Sequence, residues 1–183
     1  MKILVAKSAG FCFGVDRAVR MVGNLLDKKK RVCTLGPIIH NPQTLRGLEE
    51  RGVQIVDSPG EVPAGATVVI RSHGVEKAVI DEICARSDIE FCDATCPFVK
   101  KIHKIVAHAG LAGKPVLIAG DAFHPEVRGI TGHCTGRYFV FKNSLELQKL
   151  MKKPFPDLRT PPCVVAQTTF SVTEWENCLE IIK

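Results

Sequence analysis

The stretch Lys114-Pro115-Val116-Leu117-Ile118-Ala119-Gly120-Asp121-Ala122-Phe123-His124-Pro125-Glu126 decides the fold. Pro115 to Gly120 is a short apolar run bounded by proline and glycine, which predicts a buried strand. After a brief turn, Pro125 stands where the first position of a helix accepts proline. The arrangement recurs. Arg31 to Gly36 runs into Pro37-Ile38-Ile39-His40-Asn41-Pro42, and Ala66 to Arg71 runs into Ser72-His73-Gly74-Val75. Each copy is a strand, a turn, a histidine and a helix start.

Working outward, Lys2 to Ala6, Val53 to Asp57, Ile89 to Asp93, Arg137 to Lys142 and Cys163 to Gln167 also read as strands. Helix starts are signalled by Asn41 before Pro42, Thr95 near Pro97, Ser144 before Leu145, and Ser171 with Glu174 as a capping box. Gly52 and Gly110 stand where C-terminal caps belong. Strands alternating with helices predict parallel sheets covered on both faces, an α/β protein. The alternation restarts after a seam at Thr95 to Lys101, giving two similar α/β modules, residues 1–96 and 97–183.

The chain has 183 residues, 45% hydrophobic and 24% charged, which excludes disordered and collagen-like classes and allows a core without staples. The eight cysteines are therefore not needed to hold a miniature fold together. The start Met1-Lys2-Ile3-Leu4-Val5-Ala6-Lys7 is too short an apolar run for a signal peptide, and no stretch approaches the roughly 18 apolar residues of a membrane span. A cytoplasmic location is expected, where thiols stay reduced and serve metals or catalysis. The formal net charge of +6 favours an anionic partner. There is no Walker loop, no G-x-G-x-x-G and no RNA-stacking aromatic motif, so nucleic acid has no support.

In a parallel sheet the loops after the strands share one edge, and ligands bind there. His40, His73 and His124 occupy equivalent loops of this kind. Cys12 lies between Gly10 and Gly14 in a turn into a helix, and Cys96 sits just before Pro97 at another helix start. Either thiol is a metal ligand or a small buried hydrophobe. Glu126, two residues beyond His124, is a candidate for proton transfer or a helix first-turn acid. Thr168, in Gln167-Thr168-Thr169, can bind a ligand or cap a helix. Cys33, Cys84, Cys163 and Cys178 fall on apolar positions and read as packing, and Cys92 as core-facing. Cys134 and His133 stay open. His103 and His108, among Lys100, Lys101 and Lys104, read as the solvated face of a helix. No C-x2-C zinc knuckle and no standard iron-sulfur run is present, so a cluster would have to be assembled from cysteines far apart in sequence.

Gly10-Phe11-Cys12-Phe13-Gly14-Val15-Asp16-Arg17-Ala18, Ile39-His40-Asn41, Ser72-His73-Gly74-Val75, Asp93-Ala94-Thr95-Cys96-Pro97, His124-Pro125-Glu126-Val127 and Gln167-Thr168-Thr169-Phe170-Ser171 stand in the order and approximate spacing of one family. The chain resembles 4-hydroxy-3-methylbut-2-enyl diphosphate reductase, the last enzyme of the non-mevalonate isoprenoid pathway. The resemblance implies a trefoil of three α/β modules around a four-iron four-sulfur (4Fe-4S) cluster held by three cysteines, with Cys12 and Cys96 as two of them. His40, His73 and His124 would bind the diphosphate, Glu126 would deliver protons with His124 as relay, and Thr168 would steady the substrate hydroxyl. Electrons would come from ferredoxin or flavodoxin. The third module, carrying the third cluster cysteine, would begin just after Lys183. The resemblance thus implies a truncated product, a fragment or half of a split enzyme, with the missing C-terminal domain possible in trans. The alternative is a non-catalytic remnant or subunit that binds anionic diphosphate ligands.

Overall fold

The computed structural model describes residues 3–6, 9–152 and 160–183. The chain divides into two compact units, the first made of residues 1–72 with 86–96 and the second of 73–85 with 97–183.

The first unit holds α1 (Phe13–Asp27), β1 (Val32–Leu35), α2 (Pro42–Glu49), β2 (Gln54–Val56), a single 3-10 turn (Pro59–Glu61), β3 (Thr67–Ile70) and β4 (Glu90–Asp93). Its four strands are all parallel in the order β2-β1-β3-β4. Every residue of β1 and β3 is buried, as strands covered on both faces require. Helix α1 buries Gly14, Ala18 and Val22, one residue per turn along a single stripe, and packs Ala18 and Val22 in one core with Val32, Ile38 and Val69. The Asn41 side chain accepts the Thr44 N–H, so α2 starts where the Asn-Pro pair predicts.

The second unit holds α3 (Lys77–Ala85), α4 (Pro97–Leu111), β5 (Val116–Ala119), α5 (Pro125–Gly132), β6 (Tyr138–Phe141), α6 (Ser144–Met151), β7 (Cys163–Ala166) and α7 (Val172–Ile182). Its sheet is parallel in the order β6-β5-β7, with all four residues of β5 at 0% exposure. Ser171 caps α7 by accepting the Glu174 N–H, but the Glu174 carboxylate does not close a capping box. It accepts the Ser144 N–H at the start of α6 instead. Asn143, one residue before the expected Ser144, caps α6 through the Glu146 N–H.

Several expectations are corrected. Residues 3–6 form no strand; Ile3, Leu4 and Val5 are 73%, 83% and 79% exposed, because an apolar run becomes a strand only when a neighbouring ladder accepts its hydrogen bonds. Lys2 lies outside the described residues. Gly110 is inside α4, and the left-handed residue that ends the turn is Gly113, at φ +69°. Residues 73–85, expected in the first module, group with the second. There the His133 ring lies 3.2 Å from the Val75 carbonyl and Arg128 pairs with Glu76 at 3.3 Å.

Candidate functional site

In the first unit, Cys12 is the N-cap residue of α1 and is exposed, beside amide groups that the first helical turn leaves open. Cys96 follows β4 at the carboxyl edge of the sheet. Its loop is tied down from several sides. The Cys96 N–H donates to the Ser72 carbonyl at 2.9 Å, and the Thr95 N–H donates to Asp93 Oδ1 at 2.9 Å in an Asx turn. The buried Ser72 hydroxyl in turn donates to the Ile38 carbonyl at 3.3 Å, two residues before His40. Helix α1 and the Cys96 loop approach so closely that a Cβ on Gly14 would lie 2.6 Å from Cys96 Sγ. Only glycine permits that approach. Arg17, one turn further along α1, donates from Nη1 to the carbonyls of Ala94 and Thr95, each at 3.3 Å. His40 leaves the same edge after β1 and is exposed.

In the second unit the loops after β5 and β7 meet. Glu126 is 2% exposed, and its carboxylate accepts the Thr168 N–H at Oε1 and the Thr168 hydroxyl at Oε2, both at 2.7 Å. A buried carboxylate is tolerated when both oxygens are paired in this way. His124 is the N-cap of α5: its Nδ1 accepts the Glu126 N–H at 3.1 Å. An accepting Nδ1 carries no proton, so in the neutral ring the proton sits on Nε2. His73 stands edge-on to His124, ring centroids 5.6 Å apart and planes at 78°. The first unit therefore presents thiols and His40, and the second a carboxylate, a hydroxyl and two imidazoles.

Other side chains expected to be bland divide in two. Cys33 and Cys178 are buried and Cys92 packs against the first core, as the pattern predicts, whereas Cys84 is exposed. Cys134, which the sequence leaves open, donates to the Ile130 carbonyl, and burial pushes its thiol up to about 11. His103 is not on a solvated face. It is 6% exposed and stacks on His133 at 4.1 Å and 17°, in a slot opened by Gly129, where a Cβ would lie 3.3 Å from His103 Nε2. The signal was present: Val99, His103 and Val106 fall on one helical stripe, all buried. Gly14, which flanks Cys12 in the sequence, makes its close approach to Cys96; Arg17 and Ser72 were missed because their partners are distant in sequence and only the fold brings them near.

A four-iron four-sulfur cluster takes thiolates as ligands. Cys12 and Cys96 fit that donor set: both are free thiols at loop ends, and the missing Cβ of Gly14 lets the helix that Cys12 opens come close to Cys96 Sγ.

Residues 3–183 match the family profile described as LytB protein. Over 187 residues the chain is 40% identical to the 4-hydroxy-3-methylbut-2-enyl diphosphate reductase of Caldanaerobacter subterraneus subsp. tengcongensis, covering 100% of this chain and 62% of that protein. It is 43% identical over 180 residues to the protein of the same name from Geotalea uraniireducens, covering 98% and 61%. Among solved structures, (E)-4-hydroxy-3-methyl-but-2-enyl diphosphate reductase, described as the terminal enzyme of the non-mevalonate pathway, superposes with a TM-score of 0.80 at 34% identity over 98% of this chain and 63% of its own. The E-1-hydroxy-2-methyl-but-2-enyl-4-diphosphate reductase of Plasmodium falciparum gives 0.86 at 28% identity, over 97% and 54%. The chain thus spans about three fifths of the length of the curated relatives it matches. With its α/β units, its six ordered motifs and a profile match over nearly every residue, the chain belongs to the LytB family.

Proposed function

We propose that this chain carries the cluster-binding and proton-delivery residues of a 4-hydroxy-3-methylbut-2-enyl diphosphate reductase, working in the cytoplasm. The reaction converts the allylic alcohol to isopentenyl and dimethylallyl diphosphate. Two electrons and two protons enter, the allylic C–O bond breaks, the oxygen leaves as water with one proton, and carbon takes the other. Ferredoxin or flavodoxin would supply the electrons one at a time. The single observation that carries the reading is the buried Glu126 held by both donors of Thr168 beside the N-cap imidazole of His124.

Cys12 and Cys96 would hold the 4Fe-4S cluster, which supplies electrons and Lewis acidity when bound. The chain's own residues do the rest. Thr168 Oγ1, 2.7 Å from Glu126 Oε2, would pass a proton between the carboxyl group and a substrate oxygen. His124, its Nδ1 engaged by the Glu126 N–H, offers Nε2–H to a diphosphate oxygen. His73 and His40 would add further imidazole donors, and histidines beside helix N-termini can hold the diphosphate without a metal clamp.

The test is anaerobic iron and sulfide reconstitution of the full protein that carries this sequence, followed by turnover with a reduced electron donor. The remainder of the relatives' length can be in the same chain or in trans. Visible iron-sulfur absorption that is lost in both Cys12→Ser and Cys96→Ser, with turnover lost in Glu126→Gln, supports the reading. Diphosphate binding that persists unchanged in Cys12→Ser without any cluster or turnover would instead establish the non-catalytic binding role.

A further inference from the structure

We propose that Arg17 is a positioning residue that fixes the Cys96 loop against the helix opened by Cys12, so that the two thiols are presented to a metal group in a set relation. The inference rests on the reading of Cys12 and Cys96 as cluster ligands and adds to it the device that aligns them.

Arg17 is half-buried on α1, one position before Ala18, which is 0% exposed in the core of the first unit. Its Nη1 crosses to the carbonyls of Ala94 and Thr95, the two residues immediately before Cys96. A guanidinium has donors enough to bridge two carbonyls, and it makes no ion pair among the described residues. The acid beside it, Asp16, is paired with Arg20 at 2.9 Å. The opposite side of the loop is held by the Ser72 carbonyl on the Cys96 N–H and by the Asx turn of Asp93. The loop is thus clamped between the segment that follows β3 and α1. The clamp sets the gap at which Gly14 and Cys96 Sγ meet, a gap with no room for one methyl group. Partners that orient a metal ligand without touching the metal are worth about 10- to 100-fold in metal affinity.

The experiment compares wild type, Arg17→Lys and Arg17→Ala in the full protein. Iron per chain, cluster lifetime against a chelator and the EPR spectrum of the reduced cluster are measured, with circular dichroism to establish folding. Arg17→Ala is expected to fold and to lose its cluster about 10-fold faster or more. Arg17→Lys, which keeps the charge but not the fork, should fall between, with shifted EPR g-values that a merely structural loss would not produce. Wild-type lifetime and g-values in Arg17→Ala would overturn the proposal. If Arg17→Ala does not fold, amide exchange at Thr95 and Cys96 in metal-free Arg17→Lys decides: faster exchange supports the clamp and unchanged exchange overturns it. If wild type itself takes up no iron, the cluster reading fails, and the metal-free exchange arm still judges the clamp.

Discussion

The two units carry the same local plan with one residue of difference. Strand β1 and strand β5 are each central and fully buried, each is followed by a glycine, and the N–H groups of Gly36 and Gly120 donate to the carbonyls that close β2 and β6. His40 and His124 follow those glycines at the same spacing. The helix then begins one residue earlier in the second unit. In the first, Asn41 caps α2 and His40 precedes the cap; in the second, His124 is itself the cap. That shift puts Glu126 inside the first turn, buried within reach of Thr168, where Pro42 stands in the first unit. The same scaffold thus makes an edge with a buried, doubly held carboxylate in one unit and leaves a histidine and a thiol loop at the other. A single step in helix start separates them.

The largest effect that tests this division is on chemistry. Glu126→Gln keeps the shape, since an amide can accept the Thr168 N–H and donate to its hydroxyl, but it removes the proton. Turnover is expected to fall about 100-fold or more with the melting temperature unchanged, measured by product formation and calorimetry. Equal turnover would end the assignment of Glu126 as acid.

Next come the glycine walls. Gly14→Ala drives a Cβ into Cys96 Sγ at 2.6 Å, and Gly120→Ala drives one into Val127 Cγ2 at 2.7 Å. Both should destabilise by about 1–3 kcal/mol, read from urea midpoints, but only Gly14→Ala should also reduce iron uptake. Iron loss in both would mean the units do not divide the work this way.

The caps provide a finer test. His124→Ala removes the α5 cap and should cost about 1 kcal/mol. His124→Asn should restore that stability, because asparagine does the same task at position 41, without restoring diphosphate binding. His40→Ala, outside the cap, should leave stability unchanged. Denaturant titration of the three variants checks this.

The smallest expected effects lie in the strands and the buried thiol. Thr34 of β1 occupies the place that Ile118 takes in β5, and its hydroxyl, at 1% exposure, has no hydrogen-bond partner among the described residues. Thr34→Val should stabilise the fold by about 1 kcal/mol. Cys134 titrates near 9 when unfolded and is pushed up to about 11 by burial. The folded state holds the proton longer, so its contribution is complete below pH 9 and is lost as pH rises towards about 11. Urea midpoints should decline across that window, and less so in Cys134→Ala.

The strand-and-helix alternation was legible because it is local: β-branched runs, Pro at helix starts and Asn or Ser caps act over a few residues. Seven of the expected strands form for that reason, within a residue or two at each end. The expected first strand failed because pairing is not local; Ile3 to Val5 read as β but meet no ladder. His103 was misread for a related reason. Its lysine neighbours spoke for solvent, while the slot that buries it is opened by Gly129, on another helix.

The sequence by itself determined the α/β class, the histidine and cysteine loops and the family to which the motifs belong, since each is written in short patterns of residue type and spacing. Tertiary structure alone decided that Glu126 is buried and doubly held by Thr168, that His124 spends Nδ1 on its own helix, that Gly14 faces Cys96 and that Arg17 spans to Ala94 and Thr95. Those relations join residues up to 82 positions apart, and no periodicity encodes them. The long-range ones exist only because parallel crossovers return each loop to the same edge of its sheet.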